Sequence, residues 1–128
     1  MSHSGLIYSC GENSTGELGD GTRDKSDSLK LVEEISHIPM RFIAAGSFSA
    51  SISEEAKGDL FLWGTGAFGE FLNPHRVKKI KGEMIQVSIG DGFGMAMTKK
   101  GNVYNWGVNY CGQLGTGDNI TQSTPNLM

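Results

Sequence analysis

A chain of 128 residues with a net charge of −3 is the size of one domain, large enough to bury a core and too weakly charged to argue for nucleic acid from composition. Nineteen glycines beside three prolines, without a three-residue period, exclude collagen and disorder and point to many tight turns between short strands. No apolar run approaches the ~18 residues of a membrane span, and residues 1–5 lack the charged and apolar regions of a signal peptide, so an intracellular location is expected.

The predicted elements repeat. The first unit, 6–58, opens with a strand at 6–10 carrying Tyr8 and Cys10 on one face. A loop follows, pinned by Gly11, Gly16, Gly19 and Gly21, then a polar run at 22–28 and an outer strand ending at Val32. Two strands at 40–46 and 48–53 and a turn at 54–58 complete it, so each unit supplies four short strands.

The second unit, 59–101, repeats the strand with Phe61 and Trp63, keeps Gly64, Gly66 and Gly69, and then cuts straight to Asn73-Pro74, which shortens the loop. Its outer strand starts at Pro74, where a missing N–H is tolerated, and strands at 84–90 and 93–98 follow. The third unit, 102–128, has Tyr104 and Trp106 on its strand and Gly107, Gly112, Gly115 and Gly117 in its loop, then stops at Met128, the counterpart of Val32. Gly11, Gly64 and Gly107 lie 53 and 43 residues apart, near the period of blade repeats. The expected fold is all-β: an incomplete β-propeller of four-stranded antiparallel blades, about two and a half repeats, within one domain. Tyr8, Phe61, Trp63, Tyr104 and Trp106 should form an aromatic layer between neighbouring sheets, and small residues near Gly46 and Gly90 fit an innermost strand.

Few constellations point to chemistry. Residues 64–69 fit Gly-x-Gly-x-x-Gly after a strand, but that fingerprint needs a helix to meet the pyrophosphate and the segment runs instead into Phe71-Leu72-Asn73-Pro74, so no cofactor is expected. Asp20, Asp24 and Asp27 lack the full EF-hand ligand pattern, and no Cys-x-x-Cys or His-x-x-x-His spacing supports zinc. Cys10 and Cys111 fall at unrelated positions and are expected to be reduced. No Ser, His and Asp grouping recurs at matched positions, so neither catalytic nor metal residues are assigned. The one basic cluster is His75, Arg76, Lys78, Lys79 and Lys81, which reads either as a solvated edge strand protected from aggregation or as a contact patch for an acidic partner.

Residues 103–117, Val-Tyr-Asn-Trp-Gly-Val-Asn-Tyr-Cys-Gly-Gln-Leu-Gly-Thr-Gly, resemble the regulator of chromosome condensation repeat at every named position of its plan, and the resemblance extends over 6–128. It departs at Phe48 and Phe93, where the family has histidine, and in the shortened middle loop. The resemblance implies a propeller of about seven blades used as a scaffold for protein contacts. The founding member's activity suggests an alternative, guanine-nucleotide exchange on a small Ras-like GTPase such as Ran. An open propeller further implies that further repeats, another copy or a partner chain cover its edges.

Overall fold

The computed structural model describes residues 1–55 and 57–128. Among the described residues ten strands occupy Tyr8–Gly11 (β1), Ser26–Leu31 (β2), Met40–Ala45 (β3), Ser49–Ser53 (β4), Leu60–Gly66 (β5), Gly69–Arg76 (β6), Met84–Ile89 (β7), Phe93–Thr98 (β8), Val103–Gly107 (β9) and Gln122–Leu127 (β10). One turn of 3-10 helix at Glu33–Ile35 is the helical element among the described residues. The protein is all-β. Two antiparallel four-stranded sheets run in the orders β3-β4-β5-β6 and β7-β8-β9-β10, and β1 pairs with β2 in a two-stranded sheet.

These sheets cut across the sequence units. Unit 6–58 does supply four strands, but β1 and β2 pair together while β3 and β4 join β5 and β6 of the next unit. The short connections decide this. At 99–102 the chain turns tightly, Gly101 N–H to the Thr98 carbonyl at 2.9 Å, and so binds β8 to β9, whereas the longer segments after β2 and β6 step to the next sheet. The turn expected at 54–58 links β4 to β5, and Ala56 in it lies outside the described residues. Consequently β9 and β10, expected to await two further strands, complete the sheet begun by β7 and β8. The two-stranded sheet is the β1–β2 pair.

The cores lie between sheets. Phe61 and Trp63 of β5 pack with Ile7, Val32, Ile35 and Met40 against the β1–β2 pair. One blade on, Tyr104 and Trp106 of β9 pack with Phe48, Ile52, Leu60, Leu62, Met84 and Val87. Every aromatic pair therefore faces the preceding sheet. Tyr8 occupies the same position in β1 but is 42% exposed, because no sheet precedes β1 here to cover it; its place in an aromatic layer is corrected accordingly. At the inner ends the strands crowd as expected: a Cβ on Gly46, after β3, would meet Ile89 Cγ2 of β7 at 2.8 Å. An ion pair adds to the inner contact, Arg41 Nη1 to Glu83 Oε1 at 3.2 Å, with Lys99 Nζ at 3.5 Å from the other carboxylate oxygen.

Pro74 and Pro125 lie inside β6 and β10 rather than at their starts. Each falls where the pairing slips, between the Gly64 and Leu62 partners in one sheet and between the Gly107 and Asn105 partners in the other. An outer strand with a bulge needs no donor at that residue. The glycines singled out by the repeat, Gly11, Gly16, Gly64, Gly69, Gly107 and Gly112, all have φ between 71° and 118°. Gly107 is the tightest of them: a Cβ there would press on the Gly92 carbonyl oxygen and sit 2.5 Å from Phe93 Cα.

Candidate functional site

The long loops after β1 and β9 share one construction. Asn13, fully buried, donates from Nδ2 to the Thr22 and Asp24 carbonyls at 2.9 and 3.0 Å and to Asp20 Oδ1 at 3.2 Å, while its Oδ1 accepts from Leu18 N–H at 3.0 Å. Asn109 does the same with Thr116 Oγ1, the Asp118 carbonyl and Asp118 Oδ1, and accepts from Leu114 N–H at 2.9 Å. A central amide thus replaces a secondary-structure ladder as the partner of the loop backbone. Leu18 and Leu114 become buried plugs. The two asparagines were legible only as members of the repeat; their spacing three residues before Gly16 and Gly112 was the available signal.

Two carboxylates in the first loop are held ionised. Burial would raise Asp20, yet bonds from the Thr22 hydroxyl and N–H and from Asn13, with Lys30 nearby, bring it below its ordinary value. Glu17 behaves alike, with burial outweighed by the Thr15 hydroxyl, backbone N–H groups and Arg23. In the second loop the Ile120 N–H and the Thr116 hydroxyl lower Asp118. These bonds build the loop, and among the described residues no group of His, Cys, Asp or Glu is placed to hold a metal.

The first loop leans on the blade that follows it. Trp63 Nε1–H and the Ser49 hydroxyl both donate to the Glu17 carbonyl, each at 2.9 Å; the Thr65 hydroxyl donates to the Thr15 carbonyl at 2.8 Å. Gly21 N–H donates to the Leu72 carbonyl at 3.0 Å; back on the loop's own sheet, Asp20 Oδ2 lies 3.7 Å from Lys30 Nζ of β2.

The middle copy has no such loop. Gly66 pairs with Gly69, and the chain turns back as a hairpin over Ala67 and Phe68. The Gly-x-Gly-x-x-Gly segment is therefore strand and turn, with no helix N-terminus for a pyrophosphate. Phe68 packs edge-on to Phe48, ring centroids 4.8 Å apart, in the space beside the blade.

Next to this hairpin a groove of about 190 Å³ separates β6 from β10. Leu62 and Phe68 line it with His75, Lys78 and Lys79, and Ser123 and Pro125 face them. The basic patch predicted from sequence is thereby divided. His75, Lys78 and Lys79 share the groove, with the His75 ring stacked on Phe71 at 4.1 Å. Arg76 turns away, its guanidinium 5.5 Å from the Phe61 ring centroid and 3.6 Å from Asp59. Lys81 borders a separate cavity with Glu83 and Lys99. Cys10 and Cys111 are both exposed and unpaired.

Comparison with known proteins places this geometry. Two models described as the regulator of chromosome condensation (RCC1) repeat match residues 84–113 and 100–128. The human E3 ubiquitin-protein ligase HERC2 is 33% identical over 91% of the chain, which spans 3% of that protein. Among solved structures, human WBSCR16 superposes over the whole chain with a TM-score of 0.88 at 22% identity, the chain covering 34% of it. The Saccharomyces cerevisiae protein Prp20p, described with its binding to Gsp1p and histones, gives 0.85 at 19% identity over 99% of the chain and 35% of its own.

Proposed function

We propose that this chain, which belongs to the regulator of chromosome condensation repeat family, is a section of an intracellular propeller acting as a non-enzymatic scaffold for protein contacts. The observation that carries the reading is the groove between the two complete blades. It is walled by His75, Lys78 and Lys79, and no carboxylate lines it, so it offers a shaped basic slot on a scaffold whose loops are fixed by buried amides. Prp20p, which shares the fold, is described with its binding to Gsp1p and histones, so a propeller of this fold serves protein contacts in that case.

The test is affinity capture from cell extract with the 128-residue chain and with Lys78→Glu/Lys79→Glu. Proteins retained by the first and lost by the second support the reading; an identical set with both contradicts the groove as the contact. The binding of Gsp1p by Prp20p also favours a second reading, guanine-nucleotide exchange on a small Ras-like GTPase. A nucleotide-release assay against a panel of such GTPases separates the two, since acceleration by this chain or by a longer protein containing it establishes exchange.

The remaining edge of β1 bears on partners as well. β5 and β9 are hydrogen-bonded on both sides, whereas β1 has β2 alone, and the groove beyond it is lined by Ile43, Leu29 and Trp63. Further repeats, another copy or a partner chain would cover that edge in an assembled propeller.

A further inference from the structure

The groove beside β6 is the place that a long loop would fill. Superposing the blades through equivalent backbone bonds (Val32 N–H to the Ile7 carbonyl, Val77 to Leu60, Met128 to Val103) sets Leu72 and Asn73 of β6 against Ser123 and Thr124 of β10. Leu72 and Asn73 are what Gly16 and Gly21 of the first loop touch, and Ser123 and Thr124 line the groove. The same superposition sets His75 at the position of Lys30, which faces Asp20 of the first loop.

The missing loop leaves a mark. Trp106 is fully buried and its Nε1–H has no partner, although the equivalent group on Trp63 donates to the Glu17 carbonyl. Other positions have adapted: Leu62 stands where Ser9 and Asn105 donate to a loop carbonyl, Gly94 replaces Ser49, and Val108 replaces Thr65. The groove is apolar at Leu62, Phe68 and Val77, and Trp106 lies outside its lining, fully buried in the core that Phe48 and Leu62 share. An indole N–H left unpaired in a dry core is costly, so an acceptor that reaches it is favoured.

We propose that this slot takes an extended, acidic segment of a partner protein, bound as the first loop binds one blade earlier. An apolar side chain like Leu18 seats on Leu62 and Phe68 and a carboxylate like that of Asp20 faces His75, Lys78 and Lys79, while a backbone carbonyl reaches the buried Trp106 Nε1–H as Phe68 shifts off the core. The Ser123 carbonyl stands where Leu72 accepts from Gly21 and offers the segment a backbone bond. Acidic rather than basic or neutral segments fit because the groove's charged side chains are cationic and the internal template pairs a carboxylate with a lysine there. This rests on the scaffold reading and names the chemistry of one partner site within it.

The probe is a synthetic peptide with the sequence of residues 12–24, which contains Asn13 and every group that Asn13 bonds. Titrated into the whole chain, it should bind saturably and about tenfold or more weakly to Lys78→Glu/Lys79→Glu, and a peptide carrying Leu18→Ala should also bind more weakly. In the NMR spectrum the Trp106 indole proton should move downfield while that of Trp63 stays. A chain whose 66–69 hairpin is replaced by residues 13–21 should fill its own groove and lose the peptide. Absent binding, or binding indifferent to the lysines and to Leu18, overturns the proposal. If capture from extract still depends on the lysines in that case, the scaffold reading stands and the loop-like mode alone falls. Association of the chain with itself, seen by sedimentation, in place of peptide binding would assign the slot to a second copy and refute the partner segment.

Discussion

Replacing Asn13 or Asn109 by alanine tests the claim that a buried amide holds each long loop. Asn13→Ala removes four donated bonds of 2.9–3.4 Å and the one accepted from Leu18 N–H, and leaves that N–H buried without a partner. Hydrogen bonds contribute about 1 kcal/mol each and a stranded donor costs about 1–3 kcal/mol. Water can reach the exposed Thr22 and Asp24 once the loop loosens, so only part of the sum survives, about 3–4 kcal/mol. That is a large share of the ~5–15 kcal/mol that stabilises a domain. Urea unfolding monitored by tryptophan fluorescence reads the loss as a shift in midpoint at constant slope. Amide exchange at Leu18 should accelerate, and Trp63 emission should move to the red as its bond to the Glu17 carbonyl opens. Asn109→Ala should cost a similar amount, because it loses three donated bonds of 3.0–3.2 Å and the one accepted from Leu114 N–H at 2.9 Å. A loss below ~1 kcal/mol with the Leu18 amide still protected would refute the reasoning.

Trp106→Ala should cost about 3–5 kcal/mol, since the side chain is fully buried between two sheets, and an unchanged melting transition would contradict the packing. Gly107→Ala should prevent folding or nearly so, because both its φ of 111° and the Gly92 and Phe93 backbone forbid a side chain; Gly101→Ala, with a φ of 87° but no atom within 4 Å, should cost only about 1–2 kcal/mol, and equal effects in thermal melts would remove the steric argument. Glu17, Asp20, Glu83 and Asp118 all have lowered folded values, Glu83 first through its bond from Arg41, so they stabilise above their ordinary values of 4.5 for Glu and 3.8 for Asp and lose that contribution as pH falls through the folded ones. The melting temperature should decline as the pH drops below that range, and a rise on acidification would show the sign to be wrong. Calorimetric titration with NAD, NADP or ATP should give no saturable heat, whereas micromolar binding abolished by Gly66→Val would reinstate the dinucleotide reading.

The strands themselves were legible in the sequence because their alternation and flanking glycines are local. Phe61, Trp63, Tyr104 and Trp106 fall on one face by period alone, and Gly64 and Gly107 announce backbone that only glycine adopts easily. Which strands share a sheet was a different matter. A repeat can be cut at any point and read the same, so nothing in the period said that β4 joins β5 of the following unit; the hydrogen-bonded hairpins and inter-sheet packing decided it. Tyr8 shows the same limit, since a position matched in sequence is buried only where a neighbouring sheet covers it. The basic run from His75 to Lys81 was likewise visible as charge, but the pleat sends Arg76 to Phe61 and Asp59 while His75 faces the opposite blade. The shortened loop could be read directly from the residues. That its absence opens a groove and strands the N–H of Trp106 depends on where the next blade packs, and only the tertiary structure fixes that.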